Sequence, residues 1–316
     1  MGKKSVLVAT IPGMITEPDL EPIKDLADVK YHEVNAISQS ELASLCSGAD
    51  VLMLNYDVVK SLEADFYENQ NIQRLSSIST DITGMDWSNP GVARKNGITL
   101  QHIPHYSTES VAETIVLEVL LHSRRRLEDF KDAIRGDVPK GRQGINLQNR
   151  IAGVIGYGSI GQRVSELLNC LGMEVLVWNR SPKLGVGTEN LETIFTKADV
   201  ICLTTATDKS ADTSNVGFVS ENLLSKCEST IVVNLAGAQL VDNSAMMTAL
   251  DAQRVVGYSV EGTPELRASK LAEYDQVNLP PHSSWKSPES LENLKNIWIR
   301  NTISALTGNP DNVFTG

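Results

Sequence analysis

The chain has 316 residues, 41% hydrophobic and 21% charged, which suits a globular protein of two domains or one large one. Its 28 Lys and Arg against 39 Asp and Glu leave a formal net charge of −11, which repels a nucleic-acid backbone; the one dense basic run, Arg124-Arg125-Arg126, is too short to reverse that. Cys46, Cys170, Cys202 and Cys227 are scattered with no Cys-x-x-Cys pair, so neither a disulfide scaffold nor a metal site is expected, and reduced thiols in the cytoplasm are. The short apolar run Val6–Ala9 reads as a first strand, Ser5–Ala9, rather than a signal-peptide core. No stretch reaches the ~18–20 apolar residues of a membrane span. Glu17–Leu26 reads as a helix and Val29–Val34 as a strand. Ser38–Cys46 is a helix opened by a capping box, Ser38 with Glu41. Asp50–Asn55, nearly all apolar, is a strand buried on both faces. Gln73–Ser79 and Ile98–His102 are further strands, and Ser107–Leu127 is one long helix with apolar residues at helical spacing. Residues 135–150, polar and glycine-containing, read as a surface loop between two folding units.

A second alternating series begins at Ile151. Its strands are Ile151–Ile155, Glu174–Trp178, Val200–Thr204, Thr230–Asn234, Val255–Ser259 and Gln276–Leu279. Helices fall at Gly158–Leu171, Leu191–Lys197, Glu221–Leu224 and Asn243–Leu250, and an amphipathic helix, Pro288–Leu306, closes the chain. Strands alternating with helices predict α/β architecture: two Rossmann-like, doubly wound parallel-sheet domains with a cleft between them. The expected division is 1–104 with 288–316 as a substrate-side, flavodoxin-like domain, and 105–287 as a dinucleotide-binding domain.

The strand Ile151–Ile155 runs into Gly156-Tyr157-Gly158-Ser159-Ile160-Gly161 and then a helix. Strand, Gly-x-Gly-x-x-Gly and helix in that order form a dinucleotide fingerprint. The first glycine makes the turn, the second admits a pyrophosphate, and the third lets helix approach strand. The free N–H groups of the helix start, at Ser159 and Ile160, and its dipole favour the phosphates. The next strand ends in Asn179-Arg180-Ser181, where an NAD site carries a carboxylate for the ribose hydroxyl. A neutral Asn, a basic Arg and a hydroxyl favour a 2′-phosphate instead. NADP(H) is therefore the preferred cofactor, with NAD(H) second.

The chain resembles the D-isomer-specific 2-hydroxyacid dehydrogenases over nearly its whole length. The resemblance rests on Thr83-Gly84-Met85-Asp86, on Ile103-Pro104 with Thr108–Glu113, on Gly153–Gly161, and on Pro281-His282-Ser283-Ser284. It implies that His282 is the acid/base for the substrate oxygen and that a glutamate tunes it; Glu265 is the nearest candidate, one residue out of register. Glu261 falls where the family's Asp faces the nicotinamide. Thr108, Thr205 and Ala236 are further cofactor positions by the same resemblance. The arginine that grips a substrate carboxylate in the family is missing: Asn234-Leu-Ala-Gly237 keeps the spacing, with Gly237 in its place. Tyr56, Ser79, Thr80, His105 and Trp285 are the substrate-side candidates, and Asp81, in the family's carboxylate-binding loop, would repel a carboxylate.

These residues predict an NADP(H)-dependent oxidoreductase acting on a carbonyl or imine of a small molecule that is not a simple 2-oxo acid. Two alternatives stand beside it: a non-catalytic dinucleotide sensor, and a conventional dehydrogenase of the glyoxylate/hydroxypyruvate reductase type. The resemblance implies a homodimer; no nucleic-acid or membrane partner is expected.

Overall fold

A computed structural model describes residues 3–138, 141–181, 187–207 and 214–315. Its contacts divide the chain into two units, Met1–Ser107 with Ser287–Gly316, and Thr108–Lys286. Each unit holds one parallel sheet, so the chain folds as two Rossmann-like α/β domains.

In the first unit, strands β1 (Lys4–Thr10), β2 (Ala27–Glu33), β3 (Val51–Leu54), β4 (Ser77–Thr80) and β5 (Thr99–Gln101) lie in the order β2-β1-β3-β4-β5. Strand order reverses between β1 and β3, and the crevice beyond the strand C-termini at such a reversal is the usual ligand position of an open α/β sheet. The helices are α1 (Glu21–Lys24), α2 (Gln39–Leu45), α3 (Ala64–Tyr67), α4 (Pro90–Lys95) and the C-terminal helix (Pro288–Leu306). Leu42, Phe66 and Ile72 cover one face of the sheet with Leu7, Leu52 and Leu54. On the other face Val6, Val8, Val51 and Met53 meet Leu294, Trp298 and Leu306 of the C-terminal helix. Both faces of β3 are thus filled, which is why its sequence is apolar without alternation. The helix read over Glu17–Leu26 is instead a 3-10 turn, Glu17–Leu20, followed by the single turn α1. Pro18 and Pro22 lack the N–H groups a continuous helix needs.

In the second unit, strands β6 (Ile151–Ile155), β7 (Glu174–Trp178), β8 (Val200–Leu203), β9 (Thr230–Asn234), β10 (Val255–Val260) and β11 (Val277–Asn278) lie in the order β11-β10-β9-β8-β6-β7. Its helices are α5 (Thr108–Ser123), α6 (Arg126–Arg135), α7 (Ser159–Cys170), α8 (Leu191–Lys197), α9 (Glu221–Leu224), α10 (Asn243–Asp251) and α11 (Pro264–Arg267). The single helix read over Ser107–Leu127 is two. Arg125 takes a left-handed conformation, φ +50°, and the chain restarts as α6, where Arg125 pairs with Glu128 at 2.7 Å. The stretch 135–150 is not a connection between the units. It lies inside the second one, held by Arg142 on Asp129 at 3.1 Å and Asp132 at 2.6 Å, and by Ile145 N–H on Ser123 O at 2.7 Å. Residues 139–140 of that stretch are outside the described ones. No helix among the described residues is long and apolar enough to cross a membrane.

Trp298 is 0% exposed, and its Nε1–H donates to Ser79 O at 2.9 Å. Trp298→Ala should therefore lower unfolding free energy by ~3–5 kcal/mol, the usual cost of a large aromatic cavity. Urea denaturation followed by tyrosine and tryptophan fluorescence checks this; a loss below ~1 kcal/mol would show that the C-terminal helix does not anchor the first sheet.

Candidate active site

The glycine-rich turn lies at the C-terminal edge of the second sheet, where the order reverses between β6 and β8. Gly156 has φ +103°, and a side chain there would press on the Thr204–Thr205 backbone. A Cβ on Gly161 would collide with Gly156 O. Thr204 Oγ1 donates to that same carbonyl at 2.6 Å, so the turn is clamped between α7 and the end of β8. Gly158 differs: nothing lies within 4 Å of where its Cβ would be. Two glycines serve close packing, and the middle one opens outward beside the N-terminal turn of α7. That is the arrangement a dinucleotide needs, and the residues fit one. Gly158, Ser159 and Ile160 would hold its phosphates, with Thr205, Ala236 and Thr108 half-buried in the same unit.

Asn179 has a local task. Its Oδ1 accepts from Tyr157 N–H at 2.9 Å and its Nδ2 donates to Ser181 O at 2.6 Å. The carboxamide thus braces β7 against the glycine turn. Arg180 and Ser181, both exposed, carry the groups that face outward at this strand end.

The ends of β10 and β11 bring together a histidine and a carboxylate. Glu261 follows β10, His282 follows β11 by four residues, and Gly262 N–H binds Pro280 O at 2.8 Å to hold the two extensions together. His282 Nδ1 hydrogen-bonds Glu261 Oε2, and Ser284 Oγ donates to Glu261 Oε1 at 2.9 Å. The His282 side chain is 76% exposed, while that of Glu261 is 14% exposed. The hydrogen bond to Glu261, reinforced by its charge, holds the His282 imidazole above its ordinary pKa, against partial desolvation. With Nδ1–H committed to Glu261, Nε2 is the nitrogen left to exchange a proton with a substrate. The partner of His282 is therefore Glu261 and not Glu265. Glu265 sits exposed in the first turn of α11, where Thr263 and its own backbone N–H bond it and hold its carboxyl low. The family resemblance pointed to Glu265, one residue out of register; the structure brings Glu261 to the ring instead. Ser284, which in the sequence is only part of the Pro-His segment with no role of its own, fixes the second Glu261 oxygen.

Asn234, at the end of β9, organises the next turn. Its Oδ1 accepts from the N–H groups of Ala236 and Gly237 at 3.3 Å, and its Nδ2 donates to Gly237 O at 2.9 Å. A Cβ on Gly237 would strike the Thr207 hydroxyl. That hydroxyl is buried and has no hydrogen-bond partner among the described residues. Space for a longer side chain at this position is thus taken by Thr207. Trp285 packs against the apolar cluster that includes Val111, Ile115 and Leu235.

In the first unit, Ser79 and Thr80 are not available to a substrate. Both are 0% exposed; Ser79 O accepts from Trp298, and Thr80 Oγ1 donates to Gln101 O at 3.1 Å. A short central strand covered on both faces turns all its side chains inward. Tyr56 is 39% exposed and stands edge-on to Trp87 at 5.2 Å, and His105 is exposed with φ +61°. Asp81, just beyond β4, is 6% exposed and accepts from Tyr56 N–H at 2.8 Å and from Asn55 Nδ2. Burial pushes its carboxyl up to about 6, with those two bonds pulling down and Asp57 adding to the rise. No group of three or more metal-type ligands is gathered among the described residues.

A family model described as D-isomer specific 2-hydroxyacid dehydrogenase, NAD binding domain, matches residues 117–284. The chain is similar to glycerate dehydrogenase of Methylorubrum extorquens, 29% identical with 86% of this chain and 88% of that one covered. It is also similar to glyoxylate reductase of Thermofilum pendens, 27% identical with 98% and 93% covered. A solved structure of an acyclic imino acid reductase in complex with NADPH and D-Arg shares the fold, with TM-score 0.83, 23% identity, and 98% and 99% of the two chains covered.

The glycine turn makes a two-sided prediction. Gly158→Val should weaken nicotinamide dinucleotide binding at least ~10-fold while costing no more than ~1 kcal/mol of unfolding free energy, since the new side chain meets open space and the loss is that of a poorer N-cap residue. Gly161→Ala should instead destabilise the protein by ~1–3 kcal/mol through overpacking. Fluorescence titration with NADPH and urea unfolding measure the two effects; unchanged affinity in Gly158→Val would contradict the assignment of the cradle.

Proposed function

The chain belongs to the D-isomer specific 2-hydroxyacid dehydrogenase family, and we propose that it is an NADP(H)-dependent oxidoreductase that reduces a carbonyl or imine in a substrate other than a simple 2-oxo acid. The observation that carries this reading is the combination, in one unit, of an open dinucleotide cradle at Gly158 and a Glu261–His282 pair, together with a turn in which Gly237 faces Thr207 and itself supplies no guanidinium. A bidentate arginine is the usual means of holding a carboxylate, and glycine supplies none of it.

Bound NADP(H) supplies the hydride. The chain's own part is proton transfer and orientation. His282 carries a proton on Nε2 toward the oxygen or nitrogen that gains charge. Glu261 fixes the ring through Nδ1 and favours its charged form, and Ser284 keeps Glu261 from turning away. Arg180 and Ser181 would face a 2′-phosphate, which favours NADP(H) over NAD(H). The exposed Leu117, Phe130 and Ile134 of α5 and α6, at 53%, 49% and 85%, support pairing with a second copy, as a homodimer, and the four free thiols support a cytoplasmic setting.

His282→Ala should bind NADPH like the parent and lower turnover by ~10²–10⁴ on any substrate that the parent reduces in a stopped-flow panel of ketones and preformed imines. Reduction needs protonated His282, so activity should fall as pH rises through its raised pKa, and Glu261→Gln should move that fall to lower pH. Undiminished turnover in His282→Ala would overturn the reading. For the cofactor, Arg180→Ala should cost ~10–100-fold in NADPH affinity and spare NADH. Equal loss for both would show that Arg180 does not read the phosphate.

A further inference from the structure

Behind the Glu261–His282 pair lies a second polar cluster, wholly inside the second unit. Glu118 and His122, one turn apart on α5, face β10 and β11. Ser259 Oγ donates to Glu118 Oε2 at 2.5 Å, Asn278 Nδ2 donates to the same oxygen at 2.8 Å, and His122 Nε2 lies 2.8 Å from Ser259 Oγ. Glu118, His122 and Ser259 are 3%, 5% and 0% exposed. The Ser259 proton goes to Glu118, so the Ser259 oxygen accepts from His122 Nε2–H. Burial pushes the His122 imidazole down to about 4, with the nearby Lys131 charge adding to it, which keeps the ring neutral in that donor form. The cluster is no nucleophilic triad: Ser259 stands between the histidine and the glutamate, and Ser259 itself is 0% exposed.

Buried polar groups of this kind are costly unless fully satisfied. Their position shows what they fix. β11 is only two residues long, and its register on β10 pairs Tyr258 with Val277 and Ser259 with Asn278. Glu118 therefore bridges one of the two register pairs. Ser259 precedes Glu261 by two residues, and Asn278 precedes His282 by four. One turn earlier on α5, Thr114 Oγ1 donates to Ser110 O at 2.8 Å and reaches Ser284 O at 3.4 Å, and Ser284 holds Glu261. From α6, Lys131 Nζ donates to Tyr274 O at 3.0 Å and Val277 O at 2.7 Å, tying the same short strand.

We propose that Glu118 is a positioning residue: by accepting from Ser259 and Asn278 at once, it locks β10 to β11 and thereby sets the contact between Glu261 and His282. This rests on reading Glu261 and His282 as the reacting pair. The test is an NMR pH titration of the His282 imidazole in the full chain with NADPH bound, assigned among the five histidines with His282→Asn. In Glu118→Ala, the His282 midpoint should fall by at least ~0.5 pH unit toward the ordinary value of ~6.5, with NADPH affinity within ~2-fold of the parent. Glu118→Gln keeps an acceptor oxygen and should keep the parent midpoint. Ser259→Ala, a smaller change should Glu118→Ala not fold, should fall in the same direction. A folded Glu118→Ala or Ser259→Ala with the parent midpoint would overturn the proposal, and so would an equal fall in Glu118→Gln, which would mark a charge effect rather than a fixed register. A parent midpoint at the ordinary value would instead strike the Glu261–His282 pair itself, and overturn both readings.

Discussion

The hydrogen bond between Glu261 and His282 Nδ1 ties together what the second unit builds. It orients the imidazole, leaves Nε2 outside that bond, and holds the imidazole above its ordinary pKa. It forms only where β10 and β11 end side by side, and β11 has two residues with which to keep that alignment. The buried contacts from α5 and α6 make up what so short a ladder lacks. The site is thus supported from the interior of its own domain, where burial keeps competing water from the hydrogen bonds.

The same sheet edge carries the dinucleotide cradle, and the two features depend on different physics. The cradle is a matter of steric room: Gly156 and Gly161 are held against neighbouring backbone, and Gly158 faces open space. The acid–base pair is a matter of electrostatics and register. Gly237 belongs to neither. Its turn is shaped by Asn234, and Thr207 fills the space beside it. Any side chain placed there must first displace the Thr207 hydroxyl.

How far this was legible in the sequence varies with the range of the interaction. The glycine turn could be read because each glycine answers a local backbone demand and its flanking strand and helix are adjacent in the chain. His282 stands out in the sequence through its Pro-His context, and the structure sets it against Glu261. The identity of its partner was not legible, because Glu261 and Glu265 differ only in which of them the β10–β11 register brings to the ring. Ser79 and Thr80 looked like loop residues of a binding edge; they are interior, since a strand covered on both faces shows no alternation to reveal it. The break after Ser123 was hidden because Arg125 adopts φ +50° without a glycine or proline to announce it. The helix read over Glu17–Leu26 ignored Pro18 and Pro22, whose missing N–H groups break it into two single turns.

With glycine at position 237, the proposed reductase should hold small 2-oxo acids poorly. In steady-state NADPH oxidation, glyoxylate, pyruvate and hydroxypyruvate should each give a kcat/KM well below ~10⁴ M⁻¹s⁻¹, the lower end of ordinary enzymes. A value of ~10⁴ M⁻¹s⁻¹ or more for any one of them would contradict that reading, showing that a carboxylate is held in this protein without an arginine at position 237.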